Sequence, residues 1–326
     1  MRILSFILIV AGLLFSQSGA GYKIEPVFDY THTDTTIVDE ERNRALDLTI
    51  YIPFRQHGER IFPVIIFSPD PICGDIDYEY LFETWAKAGI ITVVVFHPGN
   101  AEDLEREVNT VKYVQALERT SEYVNRPNDI KFLLKELFWN RIECIRGLAD
   151  IRKTGAAGHS LGTHTALSLA GQYFSVRDST YVLKDKMIKA VLGMSGQGPD
   201  SFGLTRSSWD EVSTPAMLMF GTSDRGVGIH SKADRRWAYE HITSDDKFFV
   251  SISGATKCVF SGVEKRGFRK IIKDPRHHQW IKAITTAYWK YIFKDDEFSL
   301  NYLKSGEIEK LSYKECKIDF PGKTDE

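Results

Sequence analysis

Residues 152–167 read RKTGAAGHSLGTHTAL, and the order of residue types within them decides the fold. The small-residue run 154–158 suits a strand covered on both faces, while 161–173 has helical spacing. Between them lies Gly158-His159-Ser160-Leu161-Gly162. Glycine at both flanks removes the Cβ atoms that would collide where a chain turns sharply from strand into helix. Ser160 is therefore expected in a strained backbone conformation, its hydroxyl raised above the sheet edge. The N–H of Leu161 falls at the helix start, with the positive end of the helix dipole behind it, and can point at an oxyanion. A bare G-x-S-x-G arises by chance, and a serine at a helix start is more often only a cap. The strand before and the helix after are what make this one an elbow that presents a nucleophile.

Outward from the elbow, apolar β-branched runs alternate with helical patterns. Residues 46–52 (LDLTIYI) alternate at period two, as an early antiparallel strand does. Short continuous runs at 64–67, 91–96, 188–194, 216–220 and 248–252 suit buried parallel strands. Helical spacing covers 78–88, 129–138, 232–241 and 280–293. The pattern predicts an α/β protein: one domain, residues 21–326, with a doubly wound, mostly parallel sheet and helices on both faces. Residues 101–125 are charged and amphipathic, and read as a solvated helical excursion or a substrate lid. The charged, mixed tail after Asn301 is expected to close against the sheet or to fray.

Composition bounds the partners. The chain has 326 residues, 43% hydrophobic and 26% charged, with a formal net charge of −2. That is enough for one large core, and it supplies no overall basic field to gather nucleic acid from a distance. Residues 1–20 carry Arg2, an apolar run over 3–15 and then Ser16-Gln17-Ser18-Gly19-Ala20, the order of a secretory signal cleaved after Ala20. About 13 apolar residues fall short of the roughly 20 that a spanning helix needs, so stable membrane insertion is not expected. The destination is secretion, extracellular or periplasmic, where disulfides among Cys73, Cys144, Cys258 and Cys316 would persist. Four cysteines allow three full pairings, and spacing does not choose among them. No CxxC or HExxH occurs, so a metal is not expected.

A serine nucleophile needs an acid. The 214–220 segment runs into Gly221-Thr222-Ser223-Asp224, which puts a carboxylate beyond the carboxyl edge of the sheet, where sites of such architectures assemble. Asp224 follows Ser160 in the order expected of Ser, Asp and His.

With these segments in place, the chain resembles the platelet-activating-factor acetylhydrolase and dienelactone hydrolase group of the α/β-hydrolases. The blocks that carry the resemblance are FPVIIFSP (62–69), VVVFHPGN (93–100), RPNDIKFLLKEL (126–137), TGAAGHSLGTHTALSLAG (154–171), MSGQGP (194–199) and SWDEVSTPAMLMFGTSD (208–224). The resemblance implies hydrolysis of lipid or short-acyl esters by a Ser, Asp, His triad without metal or organic cofactor. Ser160 matches the nucleophile and Asp224 the acid.

Two positions depart from that group. Where it writes Gly-Ala-x-His after the last strand, this chain has Gly254-Ala255-Thr256-Lys257. An imidazole of pKa about 6.5 exchanges protons near neutrality, whereas an ammonium of about 10.4 does not. Lys257 is expected to pair with Asp224 and leave Ser160 unactivated; a Ser–Lys arrangement would need it deeply buried away from anions. Where the group writes FSHG before an oxyanion donor, this chain has Phe67-Ser68-Pro69-Asp70-Pro71. Pro71 then occupies the donor position and has no N–H. Losing one such donor typically costs about 10² to 10³ in rate.

Among substitute bases His278 leads, ahead of His277, His159, His164 and His230. Cys73 and Cys258 fall near the two departed positions, and a disulfide between them would close the mouth. The leading reading is a secreted relative of these esterases with weak or lost activity. Its rivals are an active carboxylesterase or lipase-like enzyme using a displaced histidine, and a non-catalytic secreted protein that binds a lipid or a partner.

Overall fold

All seven residues of strand β3 (Phe62–Ser68) are buried, as a strand covered on both faces requires. Its side chains divide by parity: Val64 and Ile66 join one hydrophobic cluster, Ile65 and Phe67 another. The computed structural model describes residues 20–23, 25, 27–54, 61–71, 78–98, 120–224, 232–261, 265, 266, 269, 270 and 274–324. The signal segment, but for Ala20, lies outside them.

Around β3 forms a nine-stranded sheet. Its members are β1 (Asp29–Asp39), β2 (Arg44–Phe54), β3, β4 (Ile91–Phe96), β5 (Ala149–His159), β8 (Ile188–Met194), β9 (Ala216–Gly221), β10 (Lys247–Ile252) and β13 (Cys316–Asp319). A hairpin, β6 (Tyr173–Val176) and β7 (Ser179–Val182), and a two-residue ribbon, β11 (Lys265–Arg266) with β12 (Arg269–Lys270), stand apart. The order is β1-β2-β4-β3-β5-β8-β9-β10-β13. Strands β4, β3, β5, β8, β9 and β10 are parallel to their neighbours in that series, and antiparallel pairs occur only at the ends, β1–β2–β4 and β10–β13.

Helices lie on both faces. Helices α2 (Thr120–Phe138), α3 (Leu161–Ala170) and α4 (Lys232–His241) belong with the Val64 and Ile66 face. Helices α1 (Glu79–Lys87) and α5 (Pro275–Lys294) cover the other, joined by Trp85 Nε1 donating to Thr285 Oγ1 at 3.0 Å. Two short helices, α6 (Glu297–Lys304) and α7 (Glu307–Leu311), follow.

Some expectations need correction. The helix expected at 129–138 begins nine residues earlier, at Thr120, and carries Pro127 inside it. Burial of Tyr123, Arg126, Pro127 and Asp129 holds this first half against the body despite the proline. The 101–125 segment is thus divided: 120–125 are helix, and 101–119 lie outside the described residues. The helix expected to reach 173 stops at Ala170, where Gly171 adopts φ 119 and ends it. The tail does close against the sheet, β13 pairing with β10 from Cys316–Ile252 to Asp319–Phe249.

Candidate active site

The elbow forms at the center of the sheet, between the end of β5 and the start of α3. Ser160 sits at φ 57, ψ −119, a conformation that L-residues rarely adopt. The glycines beside it are dictated by space. A Cβ on Gly158 would lie 2.1 Å from the Gly162 carbonyl oxygen, and one on Gly162 would lie 1.8 Å from the Ser68 carbonyl oxygen. The elbow is therefore in backbone contact with the end of β3. Ser160 N–H donates to the Met194 carbonyl (2.9 Å), as does the Thr163 hydroxyl (2.7 Å), which pins the turn to β8. Leu161, the residue whose N–H was expected to face an oxyanion, is the first of α3 and fully buried. Ser160 is 3% exposed, and among the described residues its hydroxyl makes no hydrogen bond.

Among the described residues of the loop after β3, 69–71, no N–H is left over. Pro69 and Pro71 have no N–H, and the Asp70 N–H donates to the Tyr78 hydroxyl at 3.2 Å. No register within 69–71 leaves a free donor. The Tyr78 hydroxyl also bonds His159 Nδ1 at 2.8 Å, and Arg126 Nη1 fixes the loop by donating to the Pro69 carbonyl at 3.1 Å.

Lys257, on a 3₁₀ turn beyond β10, pairs with a different carboxylate from the one expected. Its Nζ is 2.5 Å from Asp70 Oδ2. Asp224 already has partners: the Ser195 hydroxyl donates to Oδ2, and Arg235 Nη2 lies 3.1 Å from Oδ1. Arg235 enters from α4 and also donates to the Gly196 carbonyl at 3.0 Å. Burial draws the Arg235 guanidinium below its ordinary pKa, and Asp224 opposes that shift. With Asp224 paired to Arg235, the ammonium of Lys257 goes to Asp70, which is 1% exposed and also acts on the buried Arg126 guanidinium. The two departures from the esterase pattern are thus one ion pair.

None of the described histidines serves Ser160. His278 Nε2 is 2.9 Å from the Val259 carbonyl, and its ring stacks on Tyr80 at 4.0 Å and 11°. His277 stands one residue earlier on α5, where burial lowers its pKa. His159 points away from its neighbour Ser160, into the cluster of Tyr78 and Phe260. Burial holds its pKa below the ordinary value, and pushes that of His164 down to about 3. Cys258 is a free, half-buried thiol. Cys73, its expected disulfide partner, and His230 lie outside the described residues.

Sequence reading missed a second polar cluster beneath the loop. Ser68 Oγ is 3.0 Å from His97 Nε2, and His97 Nδ1 is 2.8 Å from Asp129 Oδ2. Asp129 also takes Arg44 Nε (2.8 Å) and pairs with Arg42 Nη1 (2.8 Å). The order serine, histidine, aspartate imitates a relay. All three are buried, however, and the Ser68 carbonyl is packed on the elbow, so the cluster braces the loop and leaves no room for a substrate. Its signals were the FHPGN and RPNDI blocks, whose polar residues fall in otherwise apolar surroundings.

Taken together, Ser160 is seated in a positive-φ turn, Asp224 is held by Arg235 and Ser195, and Lys257 is paired with Asp70. Among the described residues, none accepts a hydrogen bond from the Ser160 hydroxyl. Comparison of the chain with models of known families gives no match, and comparison with curated proteins gives none either.

Proposed function

We propose that this is a secreted α/β-hydrolase-type protein, related to the acetylhydrolase and carboxylesterase group, whose hydrolysis of lipid or short-acyl esters is weak or lost. The strand order, the positive-φ Ser160 backbone and the two close-packed glycines support the fold part of that reading. The single observation that carries the loss is the Lys257–Asp70 ion pair. It fills the place of the base with a cation that already has its anion, and sets a carboxylate where an oxyanion would need donors.

A fluorophosphonate probe labels only an activated serine. The expected result is no labelling of the purified protein, and equal, background-level hydrolysis of p-nitrophenyl acetate by wild type and Ser160→Ala. Labelling that disappears in Ser160→Ala would overturn the proposal.

A further inference from the structure

Helices α6 and α7 and strand β13 frame a concave cleft of about 1080 Å³, and its lining includes no residue of the elbow, the 69–71 loop or the Lys257 turn. Lys304, Lys310, Lys314 and Lys317 line it. All four are exposed, and none forms an ion pair among the described residues. The cleft's own carboxylates are engaged: Glu309 accepts from Lys323 and from the Ile318 N–H (3.1 Å), and Asp319 pairs with Arg236 at 2.5 Å. Four ammonium groups are thus left to share one concavity.

The cleft also has aromatic surfaces. Phe320 lies beneath two lysines, with Lys304 Nζ 5.7 Å and Lys323 Nζ 6.0 Å from its ring centroid. Tyr313 stands at the rim, 88% exposed. It and Lys314 are consecutive left-handed residues (φ 53 and 65), a turn that carries the Tyr313 ring out of the body.

A lone phosphate would engage one or two of these lysines, whereas a chain of repeated anions engages all four. A flat bilayer surface reaches the rim of a concave cleft better than its floor. A flat exposed tyrosine face suits a sugar ring, and export would deliver the protein to extracellular polyanions. We propose that this cleft binds a sulfated polysaccharide, independently of what Ser160 does.

The test is heparin binding by the purified protein across a range of salt. Affinity is expected to fall steeply with salt, and Lys304→Ala/Lys310→Ala/Lys314→Ala/Lys317→Ala to weaken it about tenfold or more. Removing the same charge elsewhere, as Lys131→Ala/Lys135→Ala/Lys186→Ala/Lys189→Ala, should weaken it far less. Tyr313→Ala should weaken it without changing the salt slope. Unchanged thermal melting establishes that each variant is folded. The proposal is overturned by any of four results: no binding of heparin, equal loss in both lysine sets, equal binding of desulfated heparin, or lysine-dependent capture by phosphatidylserine vesicles with none by heparin.

Discussion

Asp70 is 1% exposed, and a carboxylate so far from water persists as an anion only with a cation against it. Lys257 supplies that cation at 2.5 Å, although the approach is not aligned as a hydrogen bond, so the attraction is mainly coulombic. Breaking such a pair from one side typically costs about 3–5 kcal/mol, because the other charge is stranded. Asp70→Asn and Lys257→Met should each destabilise, and the double variant should be more stable than the sum of the two by about 1–3 kcal/mol. Urea unfolding of the four proteins measures this, and strict additivity would mean that the residues act independently. At this scale, Ser160, Gly158 and Gly162 were legible because a tight turn constrains neighbours in sequence. The Asp70 partner was not, since it joins loops that meet only once the sheet is assembled, and Arg235 gave no motif to mark it.

Strand β13 shows what was less legible among the elements. The tail after Asn301 has no sustained period, yet Cys316 and Ile318 alternate inward at 0% and 2% exposure, and Ile318 pairs with Val250. Four residues are too few for a period to announce itself among charges. Strand β1 was missed for a related reason: as the outer edge it is mostly solvated, and DYTHTDTTIVD lacks an apolar face. The parallel strands were plain because burial on both faces writes continuous apolar runs. If the tail is an integral edge rather than a loose end, Ile318→Ala should cost about 2–4 kcal/mol, as deletion of a core side chain does. The measurement is the urea midpoint with an unchanged slope. A variant within experimental error of wild type would show that β13 contributes nothing to the edge.

At the scale of the whole molecule, Asp129 joins parts distant in sequence: Arg42 and Arg44 at the turn of the β1–β2 hairpin, His97 after β4, and its own helix α2. Burial alone would raise its pKa, but the His97 hydrogen bond and the Arg44 guanidinium outweigh that and bring it down to about 2. The unfolded value is about 3.9, so the folded state binds this proton more weakly. A group with that sign stabilises the fold at every pH above its unfolded pKa, and the contribution disappears as pH falls toward about 2. His97 adds in the same direction. Burial lowers its pKa, so it is held neutral, and its contribution begins to fall below about pH 6.5, where the unfolded imidazole takes up a proton. Stability of the wild type should therefore be highest above about pH 7, decline through about pH 6, and decline further from about pH 4 to about 2. Asp129→Asn should be less stable at neutrality, and its deficit should shrink across the lower window because the variant has no proton to take up there. Urea midpoints measured from pH 7 to 2 decide it: curves for wild type and Asp129→Asn that run parallel below pH 4 would remove Asp129 from the acid response.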